Sequence, residues 1–227
     1  MADQANEVNL SADQPQSPLL IPRLSDLVSP RRSAVLIVDV QRHFLGHGVA
    51  VGVQSFLVCL ERLISHARSV AVPCIFIRAI ETRDGNTAVW ISRHATKPER
   101  LGNRDGTQAS EFHPRIQPKP GDLVITKLRY SAFLGTDLES HLRSQGIDSL
   151  IIAGVQSDVC VRLTAADAFQ RDFWTLTVAD CTTTRSAQDQ KHAMRDAAQN
   201  WGLVVDSADI VTSWKALQQD HTGRDTG

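Results

Sequence analysis

From about residue 33 onward, short apolar runs alternate with longer stretches whose apolar positions recur at helical spacing. Residues 33–40 read Ser-Ala-Val-Leu-Ile-Val-Asp-Val, a near-continuous apolar run of the kind that forms a parallel strand buried on both faces. Residues 53–70 instead place Phe56, Leu60, Leu63, Ile64 and Ala67 on one face, which predicts an amphipathic helix. The alternation continues with strands over 72–79, 122–126, 150–153, 173–179 and 202–205, the fifth ending at Asp180. Helices are expected over 136–145 (stopped by Gly146), from 159 onward (carrying Val161, Leu163, Ala165, Ala168 and Phe169), over 186–200 and over 208–218. Strands alternating with helices imply right-handed crossovers and helices on both faces of one sheet. The expected fold is α/β, a three-layer α/β/α domain around a six-stranded, mostly parallel, Rossmann-like sheet.

Four stretches break the rhythm. Residues 1–30 have no clean periodicity and contain Pro15, Pro18, Pro22 and Pro30. They read as an extension, partly disordered or packed on a neighbouring subunit, with a short turn of helix within 21–28. Residues 41–48 read as a loop. Residues 81–121 are polar and rich in glycine, proline and charge, with at most a short helix over 87–94. A connection this long inside a compact domain is usually functional, as a lid or a substrate-selecting loop. The tail from Asp220 reads as frayed. One domain over 31–219 follows, with a flexible tail over 220–227.

Composition narrows the classes. In 227 residues, 24 basic side chains face 25 acidic ones, which argues against a general nucleic-acid or acidic-membrane binder. No apolar run reaches the length of a membrane span, and the polar N-terminus lacks a signal pattern. The four cysteines, Cys59, Cys74, Cys160 and Cys181, form no CxxC pair, so neither a disulfide framework nor a zinc knuckle is indicated. A reduced, cytoplasmic protein is expected.

Three chemistry-bearing residues stand at strand ends. Asp39 closes the first strand, Lys127 follows the third, and Cys160 opens the helix after the fourth. Ligands of open parallel sheets bind beyond the carboxyl ends of the strands. Each residue has a plainer reading: a loop-capping aspartate, a surface lysine at a strand exit, and a buried structural cysteine. Together they form a reactive set, with cysteine as nucleophile, aspartate as proton acceptor and lysine as the cation that steadies both anions. Ser157 or Asp158 is the expected helix N-cap. That would put Cys160 in the first helical turn, where unpaired N–H groups and the helix dipole lower a thiol pKa. Cys59, Cys74 and Cys181 are expected to be inert.

Residues 35–41 (Val-Leu-Ile-Val-Asp-Val-Gln, with Phe44 following), 121–138 (Gly-Asp-Leu-Val-Ile-Thr-Lys-Leu-Arg-Tyr-Ser-Ala-Phe-Leu-Gly-Thr-Asp-Leu) and 153–161 (Ala-Gly-Val-Gln-Ser-Asp-Val-Cys-Val) occur in that order. In these motifs the sequence resembles the isochorismatase-like cysteine hydrolases, from Ala34 to about Trp214. The resemblance implies that Asp39, Lys127 and Cys160 form a catalytic triad. It also implies a non-proline cis peptide at Val155–Gln156, which would turn the Gln156 N–H inward beside that of Cys160. Two such donors make an oxyanion hole, worth on the order of 3–4 kcal/mol per donor in the barrier. The implied chemistry is metal-independent cleavage of a C–N bond in a small amide, ureide or carbamoyl compound, releasing ammonia or an amine through a thioacyl intermediate. The alternatives are an isochorismatase-type vinyl ether hydrolase and a non-catalytic binding protein on the same fold.

The metal motif of the nicotinamidase branch, Asp-x-His with a further His between the triad's Asp and Lys, does not occur here. Asp39, His43 and His47 fall at i, i+4 and i+8, but Gly46 and Gly48 weaken any helix there. No metal and no cofactor is expected. Phe44, Trp90 and Tyr130 are the candidate substrate-binding side chains. Each has a packing alternative: the core for Phe44, a short helix's anchor for Trp90, and the underside of the helix from 136 for Tyr130. Arg129 and Arg162 are candidate carboxylate contacts or solvated surface charges. Residues 106–112 (Gly-Thr-Gln-Ala-Ser-Glu-Phe) resemble a segment of several ureide- and amide-cleaving members. The expected partner is a small-molecule substrate, with no nucleic acid or membrane, in a homodimer or homotetramer.

Overall fold

The computed structural model of the chain describes residues 22–46, 52–81, 87–95 and 103–224. Six strands are present: β1 (Ser33–Val38), β2 (Cys74–Ala79), β3 (Leu123–Lys127), β4 (Ser149–Val155), β5 (Trp174–Thr183) and β6 (Leu203–Val205). They form one sheet in the order β3-β2-β1-β4-β5-β6, and every pairing is parallel. The all-parallel arrangement sharpens the mostly parallel expectation. The chain winds outward from β1 in one direction and from β4 in the other. Strand order therefore reverses between these two neighbours, and a crevice opens above their carboxyl ends.

Helices cover both faces. Along β1 the side chains alternate: Val35 and Ile37 enter one core, and Ala34, Leu36 and Val38 the other. The first core is closed by α1 (Leu24–Leu27), α3 (Val53–Ser69) and α8 (Ser207–Arg224), through Leu27, Phe56, Leu60, Leu63, Ile210 and Trp214. The second is closed by α5 (Leu138–Ser144) and α6 (Arg162–Phe169), through Leu138, Leu142, Ala165 and Ala168. Of the remaining helices, α2 (Arg42–Gly46) precedes α3 and α4 (Ala88–Ala95) follows β2, and α7 (Ala187–Asn200) packs beside β6 and α6. All residues of β1 and β4 are buried, as their unbroken apolar runs predict.

Several expectations need correction. The segment 41–48 is not all loop, since α2 occupies Arg42–Gly46. Strand β5 runs on to Thr183, so Asp180 and Cys181 lie inside it. Helix α8 continues to Arg224, so helix occupies most of the segment read as a frayed tail. The end of the N-terminal extension packs on its own chain. Leu27 and Val28 are buried, and the Trp214 Nε1–H donates to the Val28 carbonyl at 2.7 Å. The rest of the extension lies outside the described residues. Among the described residues no helix is long and apolar enough to cross a membrane.

Candidate active site

Strand ends place the three candidate side chains. Asp39 is the first residue beyond β1, and its φ of 52° lies in the left-handed region that non-glycine residues rarely adopt. Such outliers persist where the surroundings over-determine them and cluster at functional sites. Two backbone bonds hold this one: the Asp39 N–H donates to Ile77 O at 3.0 Å and its carbonyl accepts from the Gln41 N–H at 2.7 Å. Lys127 is the last residue of β3, in register with Ala79 of β2. Cys160 lies in the turn after β4. The side chains thus come from both sides of the switch point, and Lys127 reaches across β2 to the end of β1.

The Lys127 Nζ donates to Asp39 Oδ2 at 2.6 Å, and neither side chain has any exposed surface. A second Nζ bond goes to the Arg129 carbonyl at 3.0 Å. The plain readings of a surface lysine and a loop-capping aspartate are excluded by this burial. Burial raises the Asp39 carboxyl above its usual range, with Lys127 pulling the other way. Burial alone would lower the Lys127 pKa, but Asp39 and Cys160 beside it outweigh that and the ammonium is held above its ordinary value. The other Asp39 oxygen, Oδ1, is buried and has no hydrogen-bond partner among the described residues. It is the one acceptor in the trio left open to a proton.

The expected lowering of the Cys160 pKa is not found. Burial pushes this thiol up, Lys127 pulls it down, and Asp39 pushes it up again. The helix-terminus argument fails because it omits the desolvation of a side chain in a residue only 7% exposed. The thiol rests protonated, beside a carboxylate whose basicity the same burial has increased.

The turn that carries Cys160 also differs from a plain α-helical start. Residues Ser157–Val161 form a single π-helical turn capped by Gln156, before α6 begins at Arg162. Neither Ser157 nor Asp158 caps the helix with its side chain, because both are engaged elsewhere. The Ser157 hydroxyl donates to Gln190 Oε1 at 2.5 Å, and Asp158 Oδ1 accepts from the Thr184 hydroxyl at 2.5 Å. Gln156 Oε1 accepts from Arg185 Nη2 at 2.6 Å. Three successive side chains ahead of the cysteine are thereby tied to α7 and to the segment between β5 and α7. The Val155–Gln156 peptide is cis.

Of the candidate substrate residues, the structure brings two together. The Trp90 and Tyr130 rings lie 4.9 Å apart, and the Arg129 guanidinium sits 4.9 Å from the Trp90 ring centroid. Tyr130 packs against the core that contains Cys160. Phe44 is half-buried, packs against the opposite core, and meets the His43 ring edge-on at 4.9 Å. Arg162 is paired with Asp196. Of the spaced trio Asp39, His43 and His47, the last lies outside the described residues.

Two residues that sequence reasoning missed organise the surroundings. Gln41 is fully buried. Its Oε1 accepts from the Ala79 N–H at 2.9 Å, and its Nε2 donates to Ala79 O at 3.0 Å and Ser110 O at 2.8 Å. Asn103 Nδ2 also donates to Ala79 O, at 2.5 Å. Together they fasten the 103–112 segment to the ends of β1 and β2. The available signal was a glutamine two residues beyond Asp39, where a polar side chain so close to a buried strand needs partners.

Known proteins resemble this chain in sequence and in fold. The isochorismatase domain model matches residues 33–209. Ureidoacrylate amidohydrolase RutB of Serratia proteamaculans (strain 568) is 27% identical over 223 residues, covering 88% of this chain and 90% of its own. Maleamate amidohydrolase of Pseudomonas putida is 25% identical over 194 residues, covering 83% and 87%. The crystal structure of a cysteine hydrolase from Pseudomonas syringae pv. phaseolicola 1448A superposes with a TM-score of 0.74 at 23% identity, over 82% of this chain and 94% of that one.

Proposed function

The chain belongs to the isochorismatase family, and from that premise we propose that it is a metal-independent cysteine hydrolase cleaving the C–N bond of a small amide, ureide or carbamoyl acid. The observation that carries the reading is the buried Lys127–Asp39 pair at 2.6 Å, set at the strand ends beside the protonated thiol of Cys160. Two buried charges of this kind are costly and are retained where chemistry needs them. The two curated relatives are named for a ureido acid and for the amide of an unsaturated acid, which supports the substrate class.

In the proposed cycle Asp39 Oδ1 takes the proton from the Cys160 Sγ as the sulfur attacks the carbonyl carbon. The C=O π pair moves onto oxygen, and the backbone N–H groups of Gln156 and Cys160 receive that oxyanion. Collapse re-forms the carbonyl and breaks the C–N bond, and Asp39 passes the proton to the departing nitrogen. Water then attacks the thioester or thiocarbamate with Asp39 again as base, and the sulfur leaves as the thiol. Lys127 stays an ammonium throughout and holds the carboxylate in place. Trp90 and Tyr130 flank the substrate. We also read the protein as a homodimer or homotetramer without nucleic-acid or membrane partners. Its free thiols fit the reducing cytoplasm.

The test is ammonia release across a panel of N-carbamoyl acids, half-amides and a vinyl ether control. Turnover of at least one C–N substrate and none of the vinyl ether is expected. Turnover of the vinyl ether alone would contradict the proposal and favour an isochorismatase-type hydrolase.

A further inference from the structure

The open Oδ1 of Asp39 and the side chain of Gln41 belong to one device. Ala79 ends β2 between the two charged residues, in register with Lys127. Its N–H is the backbone donor that acts on the Asp39 carboxyl, lowering its pKa. Yet that N–H is taken by Gln41 Oε1 at 2.9 Å, and Asp39 Oδ1 has no hydrogen-bond partner among the described residues. The orientation of the Gln41 amide is unambiguous. Its Nε2 faces two carbonyls, Ala79 O at 3.0 Å and Ser110 O at 2.8 Å, so the acceptor end must face the Ala79 N–H. The Ala79 carbonyl, in the peptide that follows, is held by both Gln41 and Asn103, so Gln41 engages Ala79 on both sides of its Cα.

We propose that Gln41 is a positioning residue for the reaction, engaging the Ala79 N–H so that Asp39 Oδ1 stays free to accept the Cys160 proton. The inference rests on the assignment of Asp39 as the base. A backbone N–H turned fully onto Oδ1 would occupy the lone pair that the thiol needs and would stabilise the carboxylate, making it a weaker base. Gln41 limits both effects while using every hydrogen-bonding group of its own amide, so no buried polar atom is left over on its side.

The experiment follows the rate of Cys160 alkylation by iodoacetamide against pH, read on the Cys160-containing peptide by mass spectrometry so that the other thiols do not interfere. In Gln41→Met the Ala79 N–H turns to Asp39. The acid limb of the profile is then expected at lower pH and the plateau rate about tenfold lower, one pKa unit of basicity being a factor of ten. With a substrate in hand, kcat should fall with KM little changed. In Gln41→Glu the acceptor oxygen remains but a second carboxyl stands near Asp39, and the limb is expected to move the opposite way, to higher pH. A merely structural role would lower stability and leave the Gln41→Met limb where the wild type has it, and that result overturns the inference. Should Gln41→Met not fold, Gln41→Leu, which also releases the Ala79 N–H, decides by the same downward shift. Asp39→Asn separates the two claims. If it leaves the wild-type profile unchanged, the assignment of Asp39 as base has failed. If it abolishes the acid limb while the Gln41 variants shift nothing, the Gln41 inference alone has failed.

Discussion

Lys127 is one of the largest fully buried side chains in the molecule, and a lysine in that position is tolerable only as half of an ion pair. Replacing it by methionine keeps much of the volume and removes the counter-charge. The Asp39 pKa, already raised by burial, then rises further, and less of the carboxyl is ionised at a given pH. Lys127→Met should lower turnover by roughly 10²–10⁴, the usual worth of a general base. Any residual rate should grow toward alkaline pH, which a pH–rate profile checks. Denaturant unfolding should show a loss of about 3–5 kcal/mol, the usual consequence of removing one partner of a buried pair. The double variant Asp39→Asn/Lys127→Met should recover stability without recovering turnover. Asp39, Lys127 and Cys160 were readable from sequence because reactive side chains at the ends of buried strands stand out against apolar runs. The state of the thiol was not, because the helix-terminus argument considers only local backbone and burial is a property of the assembled core. Gln41 escaped notice for a related reason. Its role depends on Ala79 and Ser110, which are distant in sequence.

At the scale of elements, β4 shows where a local rule misleads. A glycine after an apolar run reads as a terminator, but β4 passes through Gly154 to Val155. Gly154 has φ +123°, and a Cβ there would stand 2.1 Å from the Val38 carbonyl oxygen of the neighbouring strand. The glycine permits the close approach of β1 and β4 at the switch point. Gly154→Ala should therefore prevent folding or cost several kcal/mol, and it should disturb both Asp39 and Cys160 at once. Gly146→Ala is the control, since nothing lies within 4 Å of its added Cβ and only its φ of +70° resists. Its cost should be about 1–2 kcal/mol. Thermal unfolding of the two variants distinguishes steric contact from backbone preference. Other elements differed from expectation for simple reasons. Helix α2 is too short to show a period and ends in glycine. The polar end of α8 carries no apolar stripe by which its continuation could be read.

For the whole molecule, the alternation of apolar runs and amphipathic stretches was enough to identify a parallel sheet covered on both faces, since that pattern has few other solutions. Which strands lie at the edges, and how the 103–112 segment returns to the ends of β1 and β2, depend on pairings far apart in the chain and could not be read locally. The same burial that sets the site also sets the pH range of the fold. Cys74, in β2, is pushed from 9.0 to about 12 by burial. Its pKa is raised in the folded state, so its contribution is fully present below the unfolded value and is lost as pH rises toward the folded one. Stability should fall between those two values as the unfolded thiol ionises, and Cys74→Val should flatten that fall in a melting-temperature series.

The central claim is that the Cys160 sulfur forms the bond to the substrate carbonyl. The most direct measurement is the initial rate of ammonia release by the wild type and by Cys160→Ala on the same C–N substrate, with both proteins shown to be folded. A rate that falls to background in the variant is predicted, and a variant that keeps the wild-type rate would contradict the account.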